Sequence, residues 1–479
     1  MRMFAGLHFL SSKLNIWLFV LFTTIPLWGI GSSISPQKLP LQGSDQVEEF
    51  LGSPKSDDVK ISKTDQIDRL LKVLPGLLRA HGYRDVEEKL KKLRQRFETS
   101  NIELGSDPDT KYNVSGLIAS HGYPVEVHEV HTVDGFILTL QRIPYGVKNK
   151  SKGPREVAFL QHGLLAAASN WVTNLPNQSL AYLLADAGYD VWMGNSRGNT
   201  YSRKHETLKP DQQKFWEWTW DEMAKYDLPA CLNYVLNKTG QKEMYYIGHS
   251  QGTMIAFAEF SRNQELAKKV KMFFAMGPVA TVGYMTSTLF RFLADDVPDN
   301  FLTEILVDLG LYDFFPSNEF FHFMGDTVCS EPETVFICEA ILGAFGGYSK
   351  DHMNASRIPV YVNNCPAGTS VWNMDHWAQM VQSKKCSMYD FGPKGNMEHY
   401  NQTTPPVYHI ENMQTPTALF YGGRDTLADL KDVELLIPKI KHLFYNKEIP
   451  TYGHLDFIWA IDAESYCYKD ILGLMMKGP

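Results

Sequence analysis

The residues with the clearest chemical meaning are the pentapeptide Gly-His-Ser-Gln-Gly at 248–252, which follows the apolar run 244–247. A serine hydroxyl is a weak nucleophile, so it has to be exposed, held in place and paired with a base. A sharp turn from strand to helix holds it, and glycines on both sides let strand and helix approach closely. The pattern predicts a nucleophile elbow, with Ser250 as nucleophile and the backbone N–H of Gln251 facing the oxyanion. The alternative is a glycine-rich turn whose serine only caps the helix.

A serine nucleophile also needs a base and an acid that orients the base, and α/β-hydrolases carry them in the order serine, acid, histidine. Asp425 follows one predicted strand, and His454 follows the next. Loops at the carboxyl ends of neighbouring parallel strands meet at one edge of a sheet, so we expect both side chains near Ser250. Asp456 is a rival acid, but it stands two residues from His454 and is less well placed to reach the far nitrogen of the ring.

The oxyanion of a tetrahedral intermediate needs a second donor, usually from the loop after the third strand. An apolar strand at 157–160 leads into His162, Gly163 and Leu164. We expect the N–H of Leu164 to be that donor. His162 is expected to fix the loop by hydrogen bonds rather than to take part in catalysis.

The elements that must position these groups alternate along the chain. A hairpin is predicted at 125–142, and apolar runs predict strands at 157–160, 190–193, 244–247, 270–276, 417–421 and 443–445. Helical stretches separate the later strands, which predicts an α/β fold: a mostly parallel sheet with helices on both faces. Roughly 130 residues, from 277 to 410, do not fit this alternation and exceed what a connection needs. They predict an inserted, mainly helical cap or lid domain between core segments 111–276 and 411–479.

The predicted cap is unusually apolar at 313–316, 319–324 and 340–345. Such stretches can pack a cap against its core, and they also suit the inner face of a lid that contacts acyl chains. Three glycines within 343–347 are candidate hinges. An apolar surface released on opening would adhere to a lipid interface.

Residues 111–475 resemble the acid lipase family, which includes gastric and lysosomal acid lipases. The resemblance rests on long segments in the family's order, at 159–165, 170–176, 186–200, 248–253, 366–370 and 454–459. It implies an α/β-hydrolase fold. It also implies Ser250 as nucleophile, Asp425 as acid, His454 as base, and Leu164 and Gln251 as oxyanion donors.

Residues 1–31 predict a signal peptide, because Arg2 and Lys13 flank a short apolar stretch, an apolar run at 14–30 follows, and small residues come after it. The run at 14–30 nearly suffices to span a bilayer, so an uncleaved signal anchor is the alternative. Residues 32–110 join a polar linker to two helical stretches, and the family resemblance does not extend to them. They predict an appendage: a tether or mask, a disposable pro-segment, or a solvated extension without function.

Six Asn-x-Ser/Thr triplets favour the secretory pathway, with the lysosome or the extracellular space as destination. The acceptors are Asn113, Asn149, Asn177, Asn237, Asn354 and Asn401. Six cysteines can form disulfides in that compartment. Cys329 and Cys338 are close together in one loop-rich stretch, and the family resemblance implies a bridge at these positions. Sequence cannot choose the other pairings.

Composition narrows the classes of function. The 479 residues carry a formal net charge of −8, which offers no basic surface for nucleic acid. No Cys-x-x-Cys occurs, so a zinc site is not expected, and the predicted chemistry needs no cofactor. We expect a lipase that cleaves triacylglycerols or sterol esters through an acyl-enzyme at an oil–water or membrane interface. The alternatives are a carboxylesterase of smaller or other esters and a non-catalytic lipid-binding relative.

Overall fold

The computed structural model describes residues 107–150, 153–287, 290–291, 294, 301–317, 321–322, 324–330, 335–347 and 349–478. The predicted signal segment and residues 32–106 of the predicted appendage lie outside the described residues. One compact unit, Glu103–Leu302 with Asp313–Pro479, carries the sheet and the predicted site, whereas Thr303–Tyr312 falls in a second unit. No helix in the described ranges combines the length and the apolar character needed to cross a membrane.

The strands of the described residues are β1 Glu126–His131, β2 Phe136–Ile143, β3 Val157–Gln161, β4 Asp190–Met193, β5 Lys204–His205, β6 Met244–His249, β7 Val270–Met276, β8 Asp313–Phe314, β9 Thr369–Ser370, β10 Thr417–Gly422 and β11 Leu443–Ile449. Nine of them form the main sheet, in the order β1-β2-β4-β3-β6-β7-β10-β11 with β5 beside β2. The partners of β2 are antiparallel to it, and every pairing from β4 to β11 is parallel. The predicted hairpin and mostly parallel sheet are confirmed.

Large side chains line up across the middle of the sheet. Trp192, Phe159, Tyr246 and Phe273 stand opposite one another on β4, β3, β6 and β7. All four are fully buried, and the ring centroids of Phe159 and Tyr246 lie 5.9 Å apart. Strands that are apolar along their whole length suit a parallel sheet covered by helices on both faces. This core fixes the spacing of the strand ends that carry the predicted site.

The α-helices of the described residues are α1 Val114–Ser120, α2 Leu180–Ala187, α3 Gln213–Trp216, α4 Trp220–Glu222, α5 Leu228–Thr239, α6 Gln251–Arg262, α7 Gln264–Ala267, α8 Phe301–Asp308, α9 Val335–Gly346, α10 Ile358–Asn364, α11 Val371–Ser383, α12 Gly392–Tyr400, α13 Leu430–Leu436, α14 Asp456–Trp459 and α15 Lys469–Lys477. The last helix before β6, α5, continues directly from a π-helical turn at Met223–Asp227 and ends at Gly240 in a left-handed conformation. Glycine tolerates the left-handed end, so this boundary follows from local sequence.

Residues 277–410 add no strand to the main sheet within the described ranges. They contain α8 to α12 and the antiparallel pair of β8 with β9. In the apolar stretch predicted at 313–316, Phe314 and Phe315 have no solvent exposure, and the flanking Asp313 and Pro316 are half-buried. The chain then returns to the sheet at β10.

Candidate active site

The turn between β6 and α6 has the geometry of a nucleophile elbow. Ser250 adopts φ 55° and ψ −122°. This backbone conformation is strained for any residue that has a side chain. A Cβ on Gly248 would lie 2.7 Å from the carbonyl oxygen of Gly252, and a Cβ on Gly252 would collide with the carbonyl oxygen of Gln161. The two glycines are therefore required by the close approach of helix and strands, as the pentapeptide predicted.

Asp425 and His454 form a buried pair at the ends of β10 and β11. Nδ1 of His454 lies 2.8 Å from Oδ2 of Asp425. The other carboxylate oxygen accepts hydrogen bonds from the N–H groups of Leu427 and Ala428, at 2.9 and 2.8 Å. A carboxylate only accepts, so Nδ1 carries the proton and Nε2 is left as a basic nitrogen.

Nε2 of His454 is buried and has no hydrogen-bond partner among the described residues. It and Ser250 line the same cavity. Both residues are described, and no direct hydrogen bond joins the Ser250 hydroxyl to Nε2. Such bonds are often long before substrate is present. The arrangement leaves a base free to accept a proton from a group in the cavity.

The loop after β3 approaches Ser250 closely because position 163 has no side chain. A Cβ on Gly163 would lie 2.8 Å from the Cβ of Ser250. Leu164 lines the cavity, and Leu165 is held at φ 59°, a strained value for a branched residue. The N–H of Gln251 opens α6 and therefore has no acceptor within that helix. Leu164 and Gln251 thus stand on the two turns that flank Ser250.

His162 fixes this loop, as the sequence predicted. Its Nδ1 donates to the carbonyl of Gly163 at 2.8 Å, and its Nε2 accepts from the N–H of Ser196 at 3.0 Å. Burial lowers the pKa of His162 to about 4, against the raising effect of the Gly163 hydrogen bond. The ring therefore stays neutral over most of the acid range and keeps both bonds.

The carboxylate of Asp456, the alternative acid, binds backbone N–H groups. Its carboxylate accepts from the N–H of Gly453 at 2.7 Å and from the N–H of Ser349 at 3.1 and 3.2 Å. Burial raises its pKa to about 6, although both backbone hydrogen bonds act in the opposite direction. Asp456 therefore tethers the loop that carries His454 and does not contact the His454 ring.

His249 supports the same loop, and sequence reasoning assigned it no role. Its Nε2 donates to the carbonyl of His454 at 3.0 Å, and the two ring centroids lie 4.7 Å apart. Burial lowers the pKa of His249 well below its ordinary value. The only sequence signal was its place beside Ser250, because the contact spans 205 residues.

The side chain of Gln251 is anchored by α11, which lies in the inserted region. Its Oε1 accepts from Nδ2 of Asn373 at 3.0 Å and from Nε1 of Trp377 at 2.8 Å. All three side chains are buried. Asn373 and Trp377 lie four residues apart on one helix face, but nothing local in the sequence connects them to Gln251.

The cavity is enclosed by apolar side chains from both the sheet loops and the inserted region. It encloses about 940 Å³ of space, which includes its open mouth. The inserted region contributes Phe321, Met324, Ile341, Leu342 and Trp377. Phe320 and Phe323 of the predicted apolar stretch lie outside the described side chains. A largely apolar chamber beside Ser250 suits long hydrocarbon chains.

Two glycines that sequence suggested as hinges contact the loop of His454. The carbonyl of Gly346 accepts from the N–H of His454 at 3.2 Å, and that of Gly347 accepts from the N–H of Leu455 at 3.4 Å. In this conformation the end of α9 is joined to the loop of the base. A movement of α9 would therefore break contacts with the base.

Cys329 and Cys338 are joined by a disulfide, and Cys338 lines the cavity. The other four cysteines, all described, are free: Cys231, Cys365, Cys386 and Cys467. No group of three or more metal-ligating side chains occurs in the part of the chain that the structure describes.

The six predicted glycosylation acceptors differ in exposure. Asn113, Asn177, Asn237 and Asn401 are exposed, whereas Asn149 and Asn354 are half-buried. Nδ2 of Asn354 is 3.4 Å from both Oδ1 of Asn174 and Oε1 of Gln178. Glycan attachment at Asn354 would have to replace these contacts.

Comparison with known proteins defines the class. Residues 159–461 match the family described as alpha/beta hydrolase fold, and residues 114–175 match a partial alpha/beta-hydrolase lipase region. The chain is 50% identical over 373 residues to the lysosomal acid lipase/cholesteryl ester hydrolase of Homo sapiens, covering 78% of this chain and 92% of that protein. It is 50% identical over 374 residues to the gastric triacylglycerol lipase of Homo sapiens, covering 77% and 92%. Lipase member K of Mus musculus is 48% identical over 372 residues, with 77% and 92% covered.

The fold and these matches define a serine ester hydrolase of the α/β-hydrolase class. Within that class, the chain belongs to the acid lipase family.

Proposed function

We propose that this protein hydrolyses the carboxylic ester bonds of neutral lipids with Ser250 as nucleophile, His454 as base and Asp425 as the orienting acid. The observation that carries the proposal is the buried pair of Asp425 and His454, whose free Nε2 lines the same apolar cavity as Ser250. A base of this kind activates a serine hydroxyl, and a fixed carboxylate stabilises the imidazolium that results.

In the proposed reaction, Nε2 of His454 takes the proton of Ser250 as the hydroxyl attacks the ester carbonyl. The N–H groups of Leu164 and Gln251 stabilise the tetrahedral oxyanion. Protonated His454 then donates to the leaving alcohol, and an acyl-enzyme remains on Ser250. Water repeats the same steps on the acyl-enzyme and releases the fatty acid.

Triacylglycerols and sterol esters are the proposed substrate classes. Two relatives are named cholesteryl ester hydrolase and triacylglycerol lipase, and the apolar lining of the cavity supports long acyl chains. The same names support passage through the secretory pathway to the lysosome or to the outside of the cell. The sequons of the chain agree with this route.

The direct test is Ser250→Ala, compared with the parent on emulsified trioleoylglycerol and on a short soluble ester. We expect kcat to fall by at least about a thousandfold on both, because only the nucleophile is lost. A fluorophosphonate probe should label the parent at Ser250. Ser261→Ala is the matched control, since Ser261 lies on the same helix and its hydroxyl donates to the carbonyl of Ala258. Labelling that persists in Ser250→Ala would place the nucleophile elsewhere.

A carboxylesterase of small esters is the second candidate. The long apolar wall that the inserted region adds to the cavity disfavours it. Hydrolysis of esters of increasing acyl length, from two to eighteen carbons, separates the two candidates. A maximum at short chains would support the carboxylesterase and refute the lipid substrate.

We further propose that residues 277–410 act as a cap that governs access to the cavity. Phe321 and Met324 of this region are buried in the cavity wall. Exposing such side chains to water costs about 25 cal/mol per Å², and that cost falls at a lipid surface. Activity on long-chain esters should therefore rise when the substrate passes from monomers to an emulsion. An unchanged rate across that transition would refute opening at interfaces.

A further inference from the structure

The apolar cavity wall contains a buried amide that no described protein group satisfies. Asn170 lines the cavity and is 6% exposed. Its side-chain oxygen is buried and has no hydrogen-bond partner among the described residues. It lies on the short 3₁₀ helix Ala168–Trp171, six residues beyond Leu164 on the same loop.

Apart from Ser250 and His454, whose polar atoms face the reacting ester in the proposed function, other polar side chains of the wall have protein partners. Nε1 of Trp377 donates to Gln251 at 2.8 Å, and Nε1 of Trp459 donates to Oγ1 of Thr173 at 3.1 Å. The thiol of Cys365 donates to the carbonyl of Leu165 at 3.5 Å. Asn170 therefore differs from its polar neighbours in the wall, because its amide is left for a group that enters the cavity.

A buried amide without partners is costly, and a leucine of similar size would fill the same space without that cost. The amide also offers both a donor and an acceptor, whichever way its ends are assigned. It can therefore bind a hydroxyl or a carbonyl oxygen. Ser250 and the oxyanion donors already account for the reacting ester, so the partner of Asn170 has to be a second polar group of the substrate.

We propose that Asn170 is a substrate-binding residue that hydrogen-bonds the second ester carbonyl or the free hydroxyl of an acylglycerol. Esters with a single polar group, such as wax esters and sterol esters, lack this partner. The inference rests on the proposed function, because it assumes that lipid esters enter this cavity. Asn170 then favours acylglycerols over single-ester lipids of equal acyl length.

The test compares Asn170→Leu with the parent on emulsified dioleoylglycerol, trioleoylglycerol and oleyl oleate, which share the oleoyl group. The kcat/KM should fall by about tenfold or more on the two glycerides, the loss expected for one buried hydrogen bond. It should be unchanged on oleyl oleate. The midpoint of thermal unfolding should stay equal or rise, whereas loss of a structural amide would lower it.

Ser169→Ala is the matched control, because Ser169 is a buried neighbour on the same short helix and lies outside the cavity wall. It should leave the ratio of glyceride to oleyl oleate activity unchanged. Asn170→Ala, which adds no bulk, should reproduce the selective loss. Equal losses on all three esters would overturn the assignment and leave the proposed function standing. A parent inactive on all three would overturn the proposed function and the assignment together.

Discussion

The loops at the strand ends and the inserted region 277–410 meet at one cavity, but they are positioned in different ways. Ser250, Asp425 and His454 each follow a strand of the parallel sheet, so strand order alone brings them to one edge. Among the described residues, the inserted region contributes residues of helices and loops to the cavity and no strand of the main sheet. Chemistry is thus built on a rigid, locally encoded framework, whereas the proposed substrate contacts depend on tertiary packing.

Polar contacts join the two regions at the catalytic residues themselves. Asp456 binds the N–H of Ser349, the backbone of His454 binds Gly346, and Gln251 is held by α11. These contacts surround the base and one oxyanion donor. The inserted region therefore does not act as an independent cover, because these contacts couple its position to the positions of His454 and Gln251.

The largest effect should come from the acid that orients His454. Asp425→Asn should lower kcat/KM on a short soluble ester by about ten-thousandfold, because the amide favours the wrong tautomer of the histidine. Asp456→Asn is the matched comparison, since Asp456 stands on the loop of His454 and its carboxylate accepts from the backbone N–H groups of Gly453 and Ser349. The decrease in kcat/KM of Asp456→Asn on the same ester should be much smaller. A reversed ranking would transfer the orienting role to Asp456 and place the acid at the joint with the inserted region.

The burial of Asp456, beside the inserted region, should also make stability depend on pH. Its pKa is raised from 3.8 to about 6, so between these values the folded protein keeps a proton that the unfolded chain has lost. The free energy of unfolding therefore falls as the pH rises from 4 to 6, by about 2 kcal/mol for a pKa difference of about 2.

In Asp456→Asn this contribution disappears. The free energy of unfolding at pH 7 minus that at pH 4 should then be about 2 kcal/mol more positive than in the parent. His162, with a pKa lowered to about 4, acts in the opposite sense and is the same in both proteins. Denaturant unfolding at the two pH values measures the difference. Parallel pH curves for parent and variant would contradict the prediction.

The comparison also explains what could be predicted from sequence. The elbow, the sheet order and the loop of Gly163 were predictable because short patterns of glycine and apolar residues encode them. The contacts of His249, Asp456 and Asn373 were not, because each joins residues that are far apart in the chain and carry no local pattern. The catalytic framework was therefore visible in the sequence, and its attachment to the inserted region was not.

Removal of the Cys329–Cys338 disulfide tests whether the inserted region can be destabilised without loss of ester hydrolysis. Cys329 and Cys338 are nine residues apart, so the bridge should stabilise the protein by about 2–3 kcal/mol in a chain-entropy account. In the variant with serine at both positions, the free energy of unfolding should be lower by this amount. Its rate of hydrolysis of a short soluble ester should be unchanged. A reductant should destabilise the parent and leave the double variant unchanged. Loss of short-ester activity would show that the bridge also supports the catalytic loops.

The smallest effect, and the most specific to the joint between the regions, should come from Asn373→Leu. One of the two donors to Gln251 is lost, and Trp377 retains the other. A loosened oxyanion donor lowers kcat rather than raising KM, so we expect kcat to fall by about tenfold on short and long esters alike. Gln382→Ala is the control, because this exposed residue of α11 donates only to the carbonyl of Ala294. A loss confined to long-chain esters would make Asn373 part of the substrate wall, and the two regions would then meet only through the loop of His454.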